Sequence, residues 1–91
     1  VSVEVSFASF LTKLVEGNKV LNFGPGKLSE ILDEIAKQYP VFKKEIFDNQ
    51  GNLKRHVSLF INDTDYRKLS GIETFVEDNQ KIKIYMALFG G

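Results

Sequence analysis

The stretch "KLSEILDEIAKQYP", residues 27–40, decides the fold. Leu28, Ile31, Leu32, Ile35, Ala36 and Tyr39 recur at spacings of 3, 1, 3, 1 and 3, one continuous apolar stripe at the helical period. Pro40 ends it, because the residue before a proline is pushed out of helical geometry. No other segment of the 91 residues is so clearly helical. One amphipathic helix can cover one face of a four- or five-stranded sheet, so the flanks are expected to supply strands.

They do. "VSVEVSF" (1–7) puts Val1, Val3, Val5 and Phe7 on one face and Ser2, Glu4 and Ser6 on the other, the alternation of a half-buried strand. "KVLNF" (19–23) is a second short strand, forming a hairpin with the first through the long, partly packed connection "ASFLTKLVEGN". Gly24-Pro25-Gly26 stops it. After the helix, "VFKKEIFD" (41–48) adds one further helical turn, with Val41, Phe42, Ile46 and Phe47 over the core edge. "VSLFI" (57–61) is a third strand with Val57, Leu59 and Ile61 inward, and Asn62-Asp63 turns the chain into a short segment around Tyr66. "LSGIETFVED" (69–78) is irregular, anchored by Leu69, Ile72 and Val76. Asn79 suits the left-handed position of the next turn. "KIKIYM" (81–86) is the last strand, with Ile82, Ile84 and Met86 inward. The order ββαβ(β)β, with one helix and about five strands, predicts a two-layer α+β domain over residues 1–86.

Composition excludes several function classes. Twelve basic and twelve acidic residues cancel, leaving no global field to attract nucleic acid or an anionic membrane. The one basic cluster, Lys54-Arg55-His56, reads as a solvated turn. Absence of cysteine removes disulfides, thiolate metal sites and Cys nucleophiles. No apolar run approaches the roughly 20 residues of a membrane span, and no basic-then-apolar leader opens the chain. A cytoplasmic protein is the expectation.

Candidate chemical sites within the domain fail on inspection. "GPGK" has Leu21 and Leu28 where a phosphate loop needs Gly and Ser/Thr, so it reads as a strand-to-helix turn. Asp63 and Asp65 have calcium-loop spacing, but the Gly and Glu later in that loop are missing. His56, the only histidine, has Ser58 two residues on and no surrounding nucleophile motif. No metal site and no active site are expected.

The sequence runs out in "ALFGG", residues 87–91. At Gly's usual frequency a terminal Gly-Gly arises by chance in about one chain in 200. A carboxylate is a poor electrophile that reacts only after activation, for example as an acyl-adenylate. To reach a partner's catalytic pocket it must thread a narrow channel, which glycine permits because it lacks a Cβ. Residues 87–91 are expected to form a flexible tail with a reach of about 15–18 Å, at 3.3–3.6 Å per residue. Strand alternation adds a docking surface: Phe60 and Tyr85 face solvent with Lys83, and Leu88 or Phe89 extend the apolar patch beside the tail.

These residues resemble the MoaD/ThiS sulfur carriers, ubiquitin-like proteins of the β-grasp fold. The likeness covers the whole chain and is sharpest in "FINDTDYRKLSGIETFVEDNQKIKIYMALFGG", which is similar to a pattern of Asn-Asp-x-Asp-x-Arg, Leu-x-Gly-x-x-Thr, an acidic turn, an alternating strand and Ala-x-x-Gly-Gly. That form is especially similar to the carriers that feed sulfur into cysteine biosynthesis. Two departures are Asp78-Asn79-Gln80 in place of Asp-Gly-Asp, and Met86 where Pro usually precedes the Ala. The resemblance implies a mixed four- to five-stranded sheet packed on one main helix. It implies a non-enzymatic carrier that binds no cofactor, its Gly91 carboxylate adenylated by a partner enzyme using ATP with magnesium. A sulfur donor would then give a thiocarboxylate for a downstream synthase, in cysteine, molybdopterin, thiamin or thiolated-tRNA formation. Gly91 is then the chemical site, Gly90 the access spacer, and Phe60, Tyr85, Leu88 and Phe89 the docking residues. Arg67 matches the family's arginine, with a partner-binding or a structural role.

Three other readings remain open at this level. The same activated terminus could join lysines as a ubiquitin-like modifier, or serve as the small subunit of a molybdopterin-synthase-like complex. The chain could also be a β-grasp interaction domain whose Gly-Gly carries no chemistry.

Overall fold

A computed structural model describes residues 2–86. The predicted helix is α1, Leu28–Gln38, with Leu28, Ile31, Leu32, Ile35 and Ala36 buried along one stripe. Its start lacks a Ser, Thr, Asp or Asn cap. Instead the Lys27 N–H donates to Glu30 Oε1 at 3.0 Å and the Leu28 N–H donates to the Thr74 carbonyl at 2.8 Å, so two donors at this end are satisfied. Pro40 ends α1 as expected, with Tyr39 forced to an extended conformation. The same proline opens a second helix, α2, Pro40–Ile46, because a missing N–H costs nothing in a first helical turn.

The strands fall in two sheets. Those of the larger are β1 (Val3–Phe7), β2 (Val20–Phe23), β4 (Val57–Ile61), β5 (Thr64–Asp65) and β7 (Lys81–Met86). Their order is β2-β1-β7-β4-β5, with β1 and β7 parallel and every other pair antiparallel. The smaller pairs β3 (Gly26–Lys27) with β6 (Phe75–Val76). The architecture is α+β with a mixed five-stranded sheet, the β-grasp arrangement the resemblance implies.

Alternation sets which side chains enter the core. Val3, Val5 and Phe7 of β1, Val57, Leu59 and Ile61 of β4, and Ile82 and Ile84 of β7 are buried against α1, α2 and Leu11 and Val15. Each fully buried Leu, Ile, Val or Phe contributes about 1.5–3 kcal/mol relative to exposure. Phe42 joins Phe7 and Phe47 in edge-to-face contacts at 6.0 and 6.4 Å. Two tight turns use left-handed backbone at the expected residues: Asn62 and Asp63 between β4 and β5, and Asn79 before β7.

Several elements differ from the sequence expectation. The 8–18 connection contains a 3₁₀ helix, Ser9–Val15, that buries Leu11, Leu14 and Val15. Leu11, Leu14 and Val15 show the 3, 1 spacing of a helical stripe only once, too short a run to establish a period. The 41–48 segment is two helical turns, and Val41 is 57% exposed because Phe42 and Ile46 take the inward face. Gly26 does not merely stop β2 but pairs with Val76, a ladder too short to leave a pattern. Of the three anchors expected in 69–78, only Val76 is fully buried. Leu69 is 44% exposed and Ile72 only half-buried. Two short 3₁₀ turns, Tyr66–Lys68 and Gly71–Glu73, fill that segment. Polar bonds hold it: Ser70 N–H to Thr74 Oγ1 at 2.9 Å, and Thr74 Oγ1 to the Gly71 carbonyl at 2.7 Å.

Phe42→Ala is expected to lower the unfolding free energy by about 3–5 kcal/mol, while Val41→Ser leaves it within about 0.5 kcal/mol. Urea denaturation of the two variants checks the pair.

Candidate functional site

β7 is the central strand of five, and its last residue, Met86, pairs with Val57 at the start of β4. The site residues Leu88, Phe89, Gly90 and Gly91 follow it and lie outside the described residues. What the structure describes is the surface from which they extend.

The helices cover one face of the sheet, and the other face carries the alternate residues. On β4 and β7 these are Ser58, Phe60, Lys81, Lys83 and Tyr85, flanked by Glu4 and Ser6 of β1. Phe60 and Tyr85 sit diagonally on neighbouring strands, two register positions apart, and their rings meet edge to face with centroids 6.0 Å apart. Tyr85 is 42% exposed and Phe60 half-buried beside it. The sequence-predicted pair is therefore a contiguous aromatic patch on the solvent face. Such a pair presents rigid apolar area with few rotamers to freeze on docking.

The charges around this patch are mostly spoken for. Glu4 lies 3.8 Å from Lys81, and Asp65 lies 2.9 Å from Arg67. Lys83, between Ser6 and Phe60 in the registers, has no carboxylate within ion-pair distance among the described residues. It is the cation at the centre of the face, a role that sequence alternation could place but not single out.

Arg67 makes a local structure. Its Nε and Nη2 donate to Asp65 Oδ1 and Oδ2 at 3.2 and 2.9 Å, and its backbone N–H donates to Oδ1 at 2.9 Å. The guanidinium also lies 6.0 Å from the Tyr66 ring centroid. Asp65 thus closes the 3₁₀ turn, and its carboxyl is held down to about 2 by the Arg67 side chain first and the Arg67 N–H second. Asp65 is the cross-strand partner of Phe60, so this clamp borders the aromatic patch.

Asp63 occupies the β4–β5 turn and Asp65 is committed to Arg67, so the two do not converge on an ion. No group of three or more His, Asp or Glu side chains that could hold a metal occurs among the described residues. The cleft at Gly24-Pro25-Gly26 is walled by Glu30 and Glu34, which would repel a phosphate. Lys54, Arg55 and His56 form the turn entering β4, and the Val57–Met86 pairing brings them to the end of the sheet where β7 finishes. That placement depends on a long-range strand register and was not visible in the sequence. No described helix is long and apolar enough to cross a membrane.

The fold and this face define a ubiquitin-like β-grasp protein. Within that class the chain is similar to MoaD/ThiS-type sulfur carriers such as CysO. No family model matches it. The sulfur carrier protein CysO of Mycobacterium tuberculosis is 26% identical over 92 residues, covering 99% of each chain. The crystal structure of the Amycolatopsis orientalis BexX/CysO complex matches with a TM-score of 0.85 and 27% identity, over 98% of this chain and 99% of that one. The solution structure of small archaeal modifier protein 1 from Methanosarcina acetivorans matches at 0.83 and 27%, over 100% and 97%.

The Asp65–Arg67 clamp has a defined pH signature. A depressed carboxyl contributes stability above its ordinary value, 3.8, and loses it as pH falls through about 2. The stability difference between the native chain and Asp65→Asn is therefore expected to shrink between pH 4 and pH 2. Thermal melts followed by circular dichroism would contradict this by finding the same difference at pH 6 and pH 2.

Proposed function

We propose that the chain is a sulfur carrier whose Gly91 carboxylate is the reacting group. A partner enzyme binds the solvent face of the sheet and receives the tail. The Gly91 carboxylate attacks the α-phosphorus of the partner's magnesium-bound ATP and pyrophosphate leaves, giving an acyl-adenylate. A hydrosulfide-level donor then attacks the acyl carbon, AMP leaves with the bonding electron pair, and a proton passes to solvent. The resulting thiocarboxylate is consumed by a downstream synthase. This makes the chain a co-substrate rather than a catalyst, and the ATP belongs to the partner.

The observation that carries this reading is the full-length similarity to CysO, combined with a central strand that ends at Met86, four positions before Gly90 in the sequence. The BexX/CysO complex supports partner enzymes as the setting. Phe60 and Tyr85 offer the anchor, Lys83 a central charge, and Gly90 the slim backbone that a narrow channel requires. The division into a β-grasp domain, 1–86, and a tail, 87–91, is part of the proposal.

A second reading is favoured by the likeness to small archaeal modifier protein 1. The same acyl-adenylate, attacked by a lysine amine instead of sulfur, gives an isopeptide bond and makes the chain a protein modifier. The two readings share every step up to the adenylate.

ATP–pyrophosphate exchange by the adenylating enzyme purified from the same cells tests the shared step. Removing Gly90 and Gly91 is expected to abolish exchange while leaving the circular dichroism spectrum and melting temperature unchanged. Tyr85→Asp is expected to lower kcat/KM for the carrier by roughly tenfold or more, the range for a docking anchor worth about 1.5–3 kcal/mol. Exchange that survives the two-glycine deletion would contradict the proposal.

A further inference from the structure

The charges of this chain cancel in number but not in space. Where β7 starts, two turns meet: the Asn62 N–H donates to the Lys81 carbonyl at 2.9 Å, and the Lys81 N–H donates to Asn62 Oδ1 at 2.8 Å. These turns carry Asp63, Glu77 and Asp78, all exposed and without a cation at ion-pair distance among the described residues. The nearby Lys81 is taken by Glu4, 3.8 Å away. This end of the sheet is acidic.

The other end of β7 is basic. The Val57–Met86 pairing brings the Lys54-Arg55-His56 turn to Met86, and Lys13 of the 3₁₀ helix lines a cleft with Met86 from the helix side. Lys13 and Arg55 are exposed, and neither they nor Lys54 has a carboxylate at ion-pair distance among the described residues. One carboxylate, Glu45, shares the wall of that cleft. Lys83, opposite Phe60 in the register, extends the positive sign onto the solvent face. From Lys81 to Met86 the strand spans about 17 Å at roughly 3.4 Å per residue. That exceeds the Debye length of about 10 Å at 0.1 M salt, so a partner at one end meets that end's sign and not the zero sum.

We propose that the basic end around Lys13, Lys54 and Arg55 is a docking site for an acidic protein surface, the rim of the opening in the partner enzyme. A phosphate backbone is matched by cations in a stripe or cluster on one face. Here the cations are spread around a strand end, with Glu45 among them and the Phe60–Tyr85 pair alongside. An apolar centre with a charged rim is the composition of a protein–protein interface. Rim charges act chiefly on the rate of encounter. The same acidic partner repels Asp63, Glu77 and Asp78, so the field turns the chain to arrive with its Met86 end leading.

The identity of the partner rests on the reading of Gly91 as the reacting group, whereas association without ATP is independent of that chemistry. Stopped-flow association of the full 91-residue chain with the adenylating enzyme from the same cells, in the absence of ATP, is the test. The association rate constant is expected to fall roughly tenfold or more between about 50 and about 500 mM NaCl. Lys13→Glu combined with Arg55→Glu should lower it by a similar factor at the lower salt, converge on the native value at the higher salt, and leave the dissociation rate within about twofold. Both side chains are exposed, and circular dichroism checks that the fold is kept. Lys37→Glu combined with Lys68→Glu makes the same change in net charge on other elements, and should leave association within about twofold. Equal losses in the two double variants would overturn the proposal, as would native association that ignores salt or does not occur. Tighter binding to a DNA duplex of roughly 20 base pairs, or to phosphatidylserine vesicles, than to the enzyme would also overturn it. Pyrophosphate exchange lost on removing Gly90 and Gly91, with association unmoved by Lys13→Glu and Arg55→Glu, would sink this site and leave the reading of Gly91 standing.

Discussion

The parallel pairing of β1 with β7 is the contact on which the rest of the structure depends. A parallel pair cannot close through a short turn and needs a crossover between its strands. Here the crossover is nearly the whole chain: β2, both helices, β4 and β5 all lie between the two partners in sequence. Pairing them places Val5 opposite Ile82 and Phe7 opposite Ile84 at the centre of the sheet, and the helices then have a continuous apolar face to cover. The same pairing leaves β7, which ends at Met86, held by a neighbouring strand on each side.

A sheet with helices on one face leaves the other to solvent, and here that face carries an aromatic pair. The row from Glu4 and Lys81 to Asp65 and Arg67 is internally neutralised, which leaves Phe60, Tyr85 and Lys83 as the unpaired surface. Exposed patches of this composition mark interaction sites more often than they occur by neglect. On the proposed reading, the sheet face would supply the address and Gly90 and Gly91 the chemistry. No His or carboxylate cluster inside the described domain competes for the chemical role.

Strong periodicity made most of the fold legible. The 3, 1, 3, 1 stripe of α1 and the alternation of β1, β4 and β7 survive almost residue for residue, because each of these elements buries one face against the core. What escaped were elements with no long period to read. The 3₁₀ helix at Ser9–Val15 buries only Leu11, Leu14 and Val15, and the β3–β6 ladder is two residues long. Leu69 and Val41 misled because an apolar residue in a short, polar-bonded or two-turn segment need not face inward. At the candidate site, alternation was enough to expose Phe60 and Tyr85, whereas the pairing of Asp65 with Arg67 emerged only from the structure. Strand register was not readable, so the sequence could not reveal that Lys54-Arg55-His56 and Phe10 flank the end of β7. Gly91, the proposed reacting group, lies outside the described residues.

The central claim is that sulfur is carried on Gly91, and intact mass of the untagged protein isolated from its native cells tests it most directly. The account predicts a species heavier than the unmodified chain by the difference between sulfur and oxygen, assigned to Gly91 by fragmentation. Only unmodified carboxylate, with the adenylating enzyme and ATP present, would contradict it.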